Sequence, residues 1–228
     1  MEQSSLQERL CVYCGEQPAT TLDHVPPKCM FPAPKPSNLL TVPSCASCNE
    51  GAAKDEEWFR AAILWSPAGE SEAGKALWKQ TLARGYRKNR GLRQSMAKAL
   101  RPVDICTPAG VFLKRGIAID VDPVRTHRVI SKITRGLYCI EHGRPLPPSV
   151  GIIVRLLSNK PNLLSAVDKC NPMLVFGSRR WPDVFEYRHG WVPEKPEASM
   201  WLLRFYGKLV YWAISEVTPS GTIRESKT

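Results

Sequence analysis

The chain has 228 residues, 43% of them hydrophobic, enough apolar material for the core of one large domain or two modest ones. No apolar run approaches the ~18 residues of a membrane span, which argues against a membrane-spanning protein. A net charge of +11, from 32 Lys/Arg against 21 Asp/Glu, favours a polyanionic partner, nucleic acid before membrane.

The N-terminus, MEQSSLQERL, has neither the positive n-region nor the apolar h-region of a secretory signal, so a soluble cytoplasmic protein is expected. Charge is spread unevenly. Residues 1–68 carry 5 Lys/Arg against 8 Asp/Glu, residues 69–100 carry 8 against 2, and residues 101–228 carry 19 against 11. The polyanion is therefore expected to be held downstream of residue 68.

In chain order, residues 11–50 read as turns and short strands punctuated by Pro and Gly, with an apolar strand at Leu39 to Val42 and Ser44 as a helix N-cap. From Lys54 a helix is predicted, because Trp58, Ala61, Ala62 and Trp65 recur at i, i+3, i+4 and i+7. The Pro and Gly of residues 66–71 end it and mark a boundary. A basic helical stretch follows, interrupted near Asn89–Gly91. Further on come a strand at Val111–Asp120, a helix after Asp122–Pro123, and late strands around Trp201 to Ile214 with a tight turn at Gly207-Lys208. The fold class is α+β, in three units: a finger at 1–68, a basic helical connector at 69–100, and an α+β domain at 101–228.

Eight cysteines divide into two C-x-x-C pairs, Cys11/Cys14 and Cys45/Cys48, and four scattered thiols. Each pair sets two thiolates on one tight turn, and two such turns complete a closed, soft, four-coordinate shell of the kind structural Zn²⁺ prefers. A thioredoxin-like redox pair and unrelated thiols are the alternatives. Cys29 would be a fifth thiol beside a full shell and reads as a small buried hydrophobe.

In order along the chain, C-x-x-C-G (Cys11 to Gly15), D-H-x-x-P (Asp23, His24, Pro27), N-L-L (Asn38 to Leu40) and C-x-x-C-N (Cys45 to Asn49) resemble the HNH endonuclease family. The resemblance covers residues 11–57. It implies a zinc-stapled ββα-metal finger that hydrolyses phosphodiester bonds, leaving 5′-phosphate and 3′-hydroxyl ends. By the same resemblance His24 is the general base, Asp23 and Asn49 hold a catalytic Mg²⁺ or Mn²⁺, and Asn38 positions the loop and the imidazole. Lys54 is a candidate phosphate contact. The residue types suit the chemistry: an imidazole can take a proton near neutral pH, and carboxylate with amide oxygen suits a hard cation.

Two basic clusters could hold nucleic acid. Arg84, Arg87, Lys88, Arg90 and Arg93 surround Tyr86, and Arg125, Arg128, Lys132 and Arg135 fall on one face of the helix after Pro123. Val129, Ile133, Leu137 and Ile140 define its inward face. His127, His142 and His189 have no partner pattern. DNA is expected before RNA as substrate, and a double-strand cut by a single-site finger would need a homodimer or two encounters. Restriction, phage defence or a mobile element would each suit such an activity. The rival from another class is a zinc-dependent nucleic-acid-binding module without catalysis.

Overall fold

A computed structural model describes residues 9–157 and 161–216, without the side chains of residues 82–84, 86, 161–164 and 166. It is a mixed α+β structure. Strands β1 (Thr21–Val25) and β2 (Leu40–Ser44) pair antiparallel, with Thr21 opposite Ser44 and Val25 opposite Leu40. A 3-10 turn at Lys28–Met30 lies between them, and helices α1 (Ala46–Gly51) and α2 (Ala53–Leu64) follow. The strand predicted from Leu39 begins one residue later. Ser44 closes it rather than capping the helix, because its hydroxyl donates to the Cys45 carbonyl (3.1 Å) and Cys45 takes the N-cap position.

The second half of α2, Trp58 to Leu64, is buried all round, a wider burial than the one-sided pattern of its apolar residues suggests. Ser66 and Ser71 then cap a 3-10 turn and helix α3 (Glu72–Leu77). One π-helical turn (Trp78–Leu82) leads into α4 (Ala83–Lys88). The interruption expected near Asn89 is real: Asn89 is an N-cap whose Oδ1 accepts from the Leu92 amide (3.0 Å), and α5 (Arg90–Ala99) starts there.

β3 (Leu100–Cys106) and β4 (Phe112–Ile119) form a second antiparallel hairpin. The sequence pattern predicts only β4. β3 leaves the end of α5 without a turn residue between them and carries Pro102, which a two-stranded ribbon tolerates because every strand in it is an edge. Phe112, Leu113 and Ile117 stand exposed on this ribbon.

The long helix α6 (Pro123–His142) has the start the sequence promised. Asp122 Oδ1 accepts from the amides of Val124 (3.0 Å) and Arg125 (3.1 Å), and Pro123 sits in the first turn, where no N–H is needed. Val129, Ile133 and Leu137 are buried. The remaining strands, β5 (Gly151–Leu156), β6 (Val175–Phe176), β7 (Phe185–Val192), β8 (Lys195–Phe205) and β9 (Leu209–Glu216), make a five-stranded antiparallel sheet in the order β5-β9-β8-β7-β6, with α7 (Pro161–Cys170) between β5 and β6. The β8–β9 turn is centred on Tyr206 and Gly207, one residue earlier than expected, and both have positive φ (50° and 69°). Tyr206 bears that backbone because its ring is buried and its hydroxyl donates to the Met30 carbonyl (2.7 Å).

α6 is the hub. It packs on α2 and also touches β1, β2, β5 and β9. A Cβ at Gly136 would lie 2.5 Å from Val25 Cγ2, so glycine is what lets α6 approach β1 so closely. Phe59 of α2 reaches across to Phe205 and Tyr211 of the sheet, with ring centroids 5.5 and 5.7 Å apart. A single hydrophobic cluster runs from Val12 and Val25 through Trp58, Leu92 and Ile130 to Trp201 and Ala213, so all three sequence segments share one core. Among the described residues, no helix is long and apolar enough to cross a membrane.

Candidate functional site

The two cysteine pairs meet. The Cys11 amide bonds the Gln17 carbonyl and the Gly15 amide bonds the Cys11 carbonyl (both 2.8 Å), which curls residues 11–17 into a tight turn. That turn docks on β2 through the Val12 amide and the Pro43 carbonyl (3.0 Å). Cys45 and Cys48 sit at the start of α1. All four sulfurs lie within 4.8 Å of one another, close to the ~3.8 Å separation of a tetrahedral shell with Zn–S of about 2.3 Å. All are free thiols, and Cys11 and Cys45 are buried.

The electrostatics of the cluster fit a cation. Burial pushes the Cys11 thiol up, but the backbone N–H groups of Cys45, Cys14 and Tyr13 and the Ser44 hydroxyl outweigh it, so the pKa falls. The Ser47 hydroxyl, 3.1 Å from Cys45 Sγ, and the Cys48 amide draw Cys45 down to about 6. Burial and the neighbouring sulfurs push Cys48 far up instead. The lowered pKa values of Cys11 and Cys45 favour the thiolate, the form in which cysteine binds a metal. The chain therefore holds a plausible structural Zn²⁺ site.

The other residues singled out from the sequence occupy varied places. Thr21, Asp23 and Val25 share one face of β1, and His24 lies on the other. Asp23 is buried; its Oδ2 accepts from the Tyr13 hydroxyl (2.8 Å) and lies 2.7 Å from Lys132 Nζ. His24 is half-buried, and burial first, then Lys28 and Lys35, hold its pKa below the ordinary imidazole value against the pull of Asp23. Asn49 Nδ2 donates to Thr21 Oγ1 (3.1 Å), which places it on the Asp23 face, and Thr21 donates on to the Ser44 carbonyl (2.9 Å). Asn38 is exposed, and its Oδ1 accepts from the Trp181 indole (3.2 Å), tying the loop to the C-terminal part of the chain instead of to His24. Lys54 is exposed at the start of α2. The structure thus brings Asp23 and Asn49 to one side of β1 and puts His24 on the opposite side.

The basic face of α6 meets protein. Lys132 Nζ, 11% exposed, lies 2.6 Å from Glu56 as well as 2.7 Å from Asp23, and 5.3 Å from the centroid of the Tyr13 ring. Arg135 donates to the carbonyls of Leu146, Pro147, Pro148 and Val150, pinning the segment before β5. Arg125 and Arg128 reach Asp55 (3.7 and 3.3 Å), and Arg125 also lies 5.7 Å from the centroid of the Trp58 ring. The reason is the acidic first turn of α2, Asp55 and Glu56, packed alongside. Arg125, Arg128 and Lys132 thus meet carboxylates of α2 and Arg135 meets backbone carbonyls, while the Arg128 side chain stays largely exposed. In the other cluster Arg87, Lys88, Arg90 and Arg93 are exposed around the break between α4 and α5; the side chains of Arg84 and Tyr86 lie outside the described residues.

Sequence reasoning missed Tyr13 and Glu56, which join Asp23 and Lys132 in a buried polar cluster, and Arg60, a buried cation on α2. Tyr13 stands inside the first C-x-x-C turn, at a position that motif leaves open, and Glu56 and Arg60 sit in no recognisable motif. No protein-family model matches the chain, and neither does a curated protein or a solved structure.

Proposed function

We propose that the chain is a metal-dependent endonuclease of HNH type acting on nucleic acid, DNA before RNA. The observation that carries this reading is the frame around the cysteines: the sulfur cluster ties the hairpin bearing Asp23 and His24 to the helix bearing Asn49, and Asn49 is bonded directly to β1. Such a frame keeps the residues in fixed register, which matters because positioning contributes several kcal/mol to phosphodiester hydrolysis. His24, kept neutral, accepts the proton of the attacking water at a ring nitrogen. Asp23 Oδ1 and the Asn49 carbonyl oxygen, hard oxygens on one face of β1, are the donors that would hold Mg²⁺ or Mn²⁺, which when bound supplies positive charge at the leaving oxygen. In this conformation β1 separates them from His24, so one phosphate would have to reach around the strand end at Val25 and Pro26.

A second reading rests on a specific observation. Asp23 Oδ2 is already occupied by Lys132 and Tyr13, as a purely structural carboxylate would be, and this favours a zinc-stapled nucleic-acid-binding module without catalysis. Incubation of plasmid DNA and structured RNA with Mg²⁺ or Mn²⁺ separates the two. The nuclease reading expects cleavage by the wild type and a drop of at least a hundredfold in His24→Ala. Binding without any cut product, whatever the divalent ion, would leave only the second reading.

A further inference from the structure

A cleft of about 490 Å³ opens between the loop that follows β1 and the helices packed behind it, lined by Cys29 and Lys35 of the loop, Arg60 of α2, and Gln80 and Thr81 of the π-helical turn. Gln80 shapes it. Its Oε1 accepts from the Ala33 amide (2.7 Å) and its Nε2 donates to the Ala33 carbonyl (3.0 Å), so the loop is clamped open at a fixed distance.

Arg60 is the unusual member. Its side chain is 92% buried, its Nε has no hydrogen-bond partner, and its ion-pair partner among the described residues is Glu57, at a loose 3.8 Å. A buried guanidinium so poorly satisfied is costly to keep unless a ligand completes it. The carboxylates nearby are engaged elsewhere: Glu57 Oε2 accepts from Asn89 (2.9 Å), and Glu56 pairs with Lys132. Cys29 adds no negative charge, since burial pushes its thiol up to about 11. Lys35 is exposed at the rim and lies close enough to act electrostatically on both Cys29 and His24.

We infer that this cleft is a phosphate-binding subsite in which Arg60 at the floor and Lys35 at the rim hold one backbone phosphate of a nucleic-acid strand. The cleft itself follows from the residues just named; that its phosphate belongs to a strand rests on the nuclease reading. A guanidinium fork with a mobile ammonium suits a phosphate's several oxygens. The volume leaves room for the attached sugar, since a water takes up only about 30 Å³ of liquid.

The test titrates the full-length, zinc-loaded chain with inorganic phosphate at constant ionic strength, followed by calorimetry. An oligothymidylate, the same oligomer with uncharged methylphosphonate linkages, and thymidine monophosphate then compete for the site. Displacement by the charged oligomer and none by the methylphosphonate is expected. Lys35→Gln and Arg60→Met should each weaken phosphate binding roughly tenfold or more. Lys35 is exposed, so its variant remains decisive even if Arg60→Met fails to fold. Unchanged phosphate affinity in Lys35→Gln, or displacement by the mononucleotide alone, would overturn the inference. If the wild type cuts nothing yet Lys35→Gln loses oligomer affinity, the subsite stands and the nuclease reading fails. Cleavage with an unchanged KM in both variants would do the reverse.

Discussion

Lys132 and Asp23, far apart in the chain, meet at 2.7 Å in a pocket where both side chains are about nine-tenths buried, with Glu56 completing the group. This pair fastens α6 to the first strand of the cysteine-stapled hairpin. Removing the ammonium strands two carboxylates in a low-dielectric site. Lys132→Met should therefore cost about 3–5 kcal/mol of stability, read from the denaturant midpoint. A variant that folds as well as wild type and merely binds nucleic acid more weakly would return Lys132 to the phosphate-binding role its helical spacing suggested.

One zinc ion per chain should be found by atomic absorption. Structural zinc sites contribute roughly 10–16 kcal/mol of apparent binding energy, more than the net stability of a typical domain. Cys45→Ser, or a strong chelator, should abolish the metal and the helical signal of α1 together. A variant lacking zinc with an unaltered far-UV spectrum would count against the staple.

Arg87 and Arg90 are exposed on either side of the Asn89 break. If both meet phosphates, replacing them with Gln should flatten the plot of log affinity for duplex DNA against log salt by roughly 1.8 units, about 0.9 for each phosphate no longer neutralised. An unaltered slope removes this cluster from the interface.

Acid should destabilise the chain from near pH 6.5 downward. His142 stacks on Tyr138 (ring centroids 4.1 Å) and His189 lies between Trp191 and Trp201 (5.5 and 4.9 Å). Burial holds both below the ordinary imidazole pKa; His189 and Arg144 lower His142 further, while Glu141 and Glu197 oppose for His142 and Glu141 opposes for His189. Below about 6.5 the unfolded chain therefore binds protons that the folded chain still refuses, so stability falls with pH. His24 has the same sign. Glu141 is depressed and loses its contribution only at lower pH, outside this window. The melting temperature should drop between pH 7 and 5.5, and less steeply in His142→Phe with His189→Phe. Parallel curves for wild type and double variant would refute the assignment.

Local signals were the legible ones. The thiol spacing, the Asp122–Pro123 start of α6 and the final hairpin could all be read because a cap or a turn is decided by residues a few positions apart. Partnership was not legible. The 3-4-3 spacing of Arg125, Arg128, Lys132 and Arg135 fixes a face, but only the packing of α2 decides that the face meets Asp55 and Glu56. β7, by contrast, was legible and went unread: Phe185, Tyr187, His189 and Trp191 alternate with Glu186, Arg188 and Gly190, the period of a strand. Among the site residues, adjacency in D-H-x-x-P suggested one shared site for Asp23 and His24, whereas a strand sends neighbours to opposite sides.

The continuous core has a practical corollary for anyone hoping to borrow the cysteine module. Trimmed at residue 68, it would lose the partners of Val25, Trp58 and Phe59, and its greasy underside would sit bare in water. Such a fragment should clump in solution. A transplantable version must carry α6 and the sheet along with it.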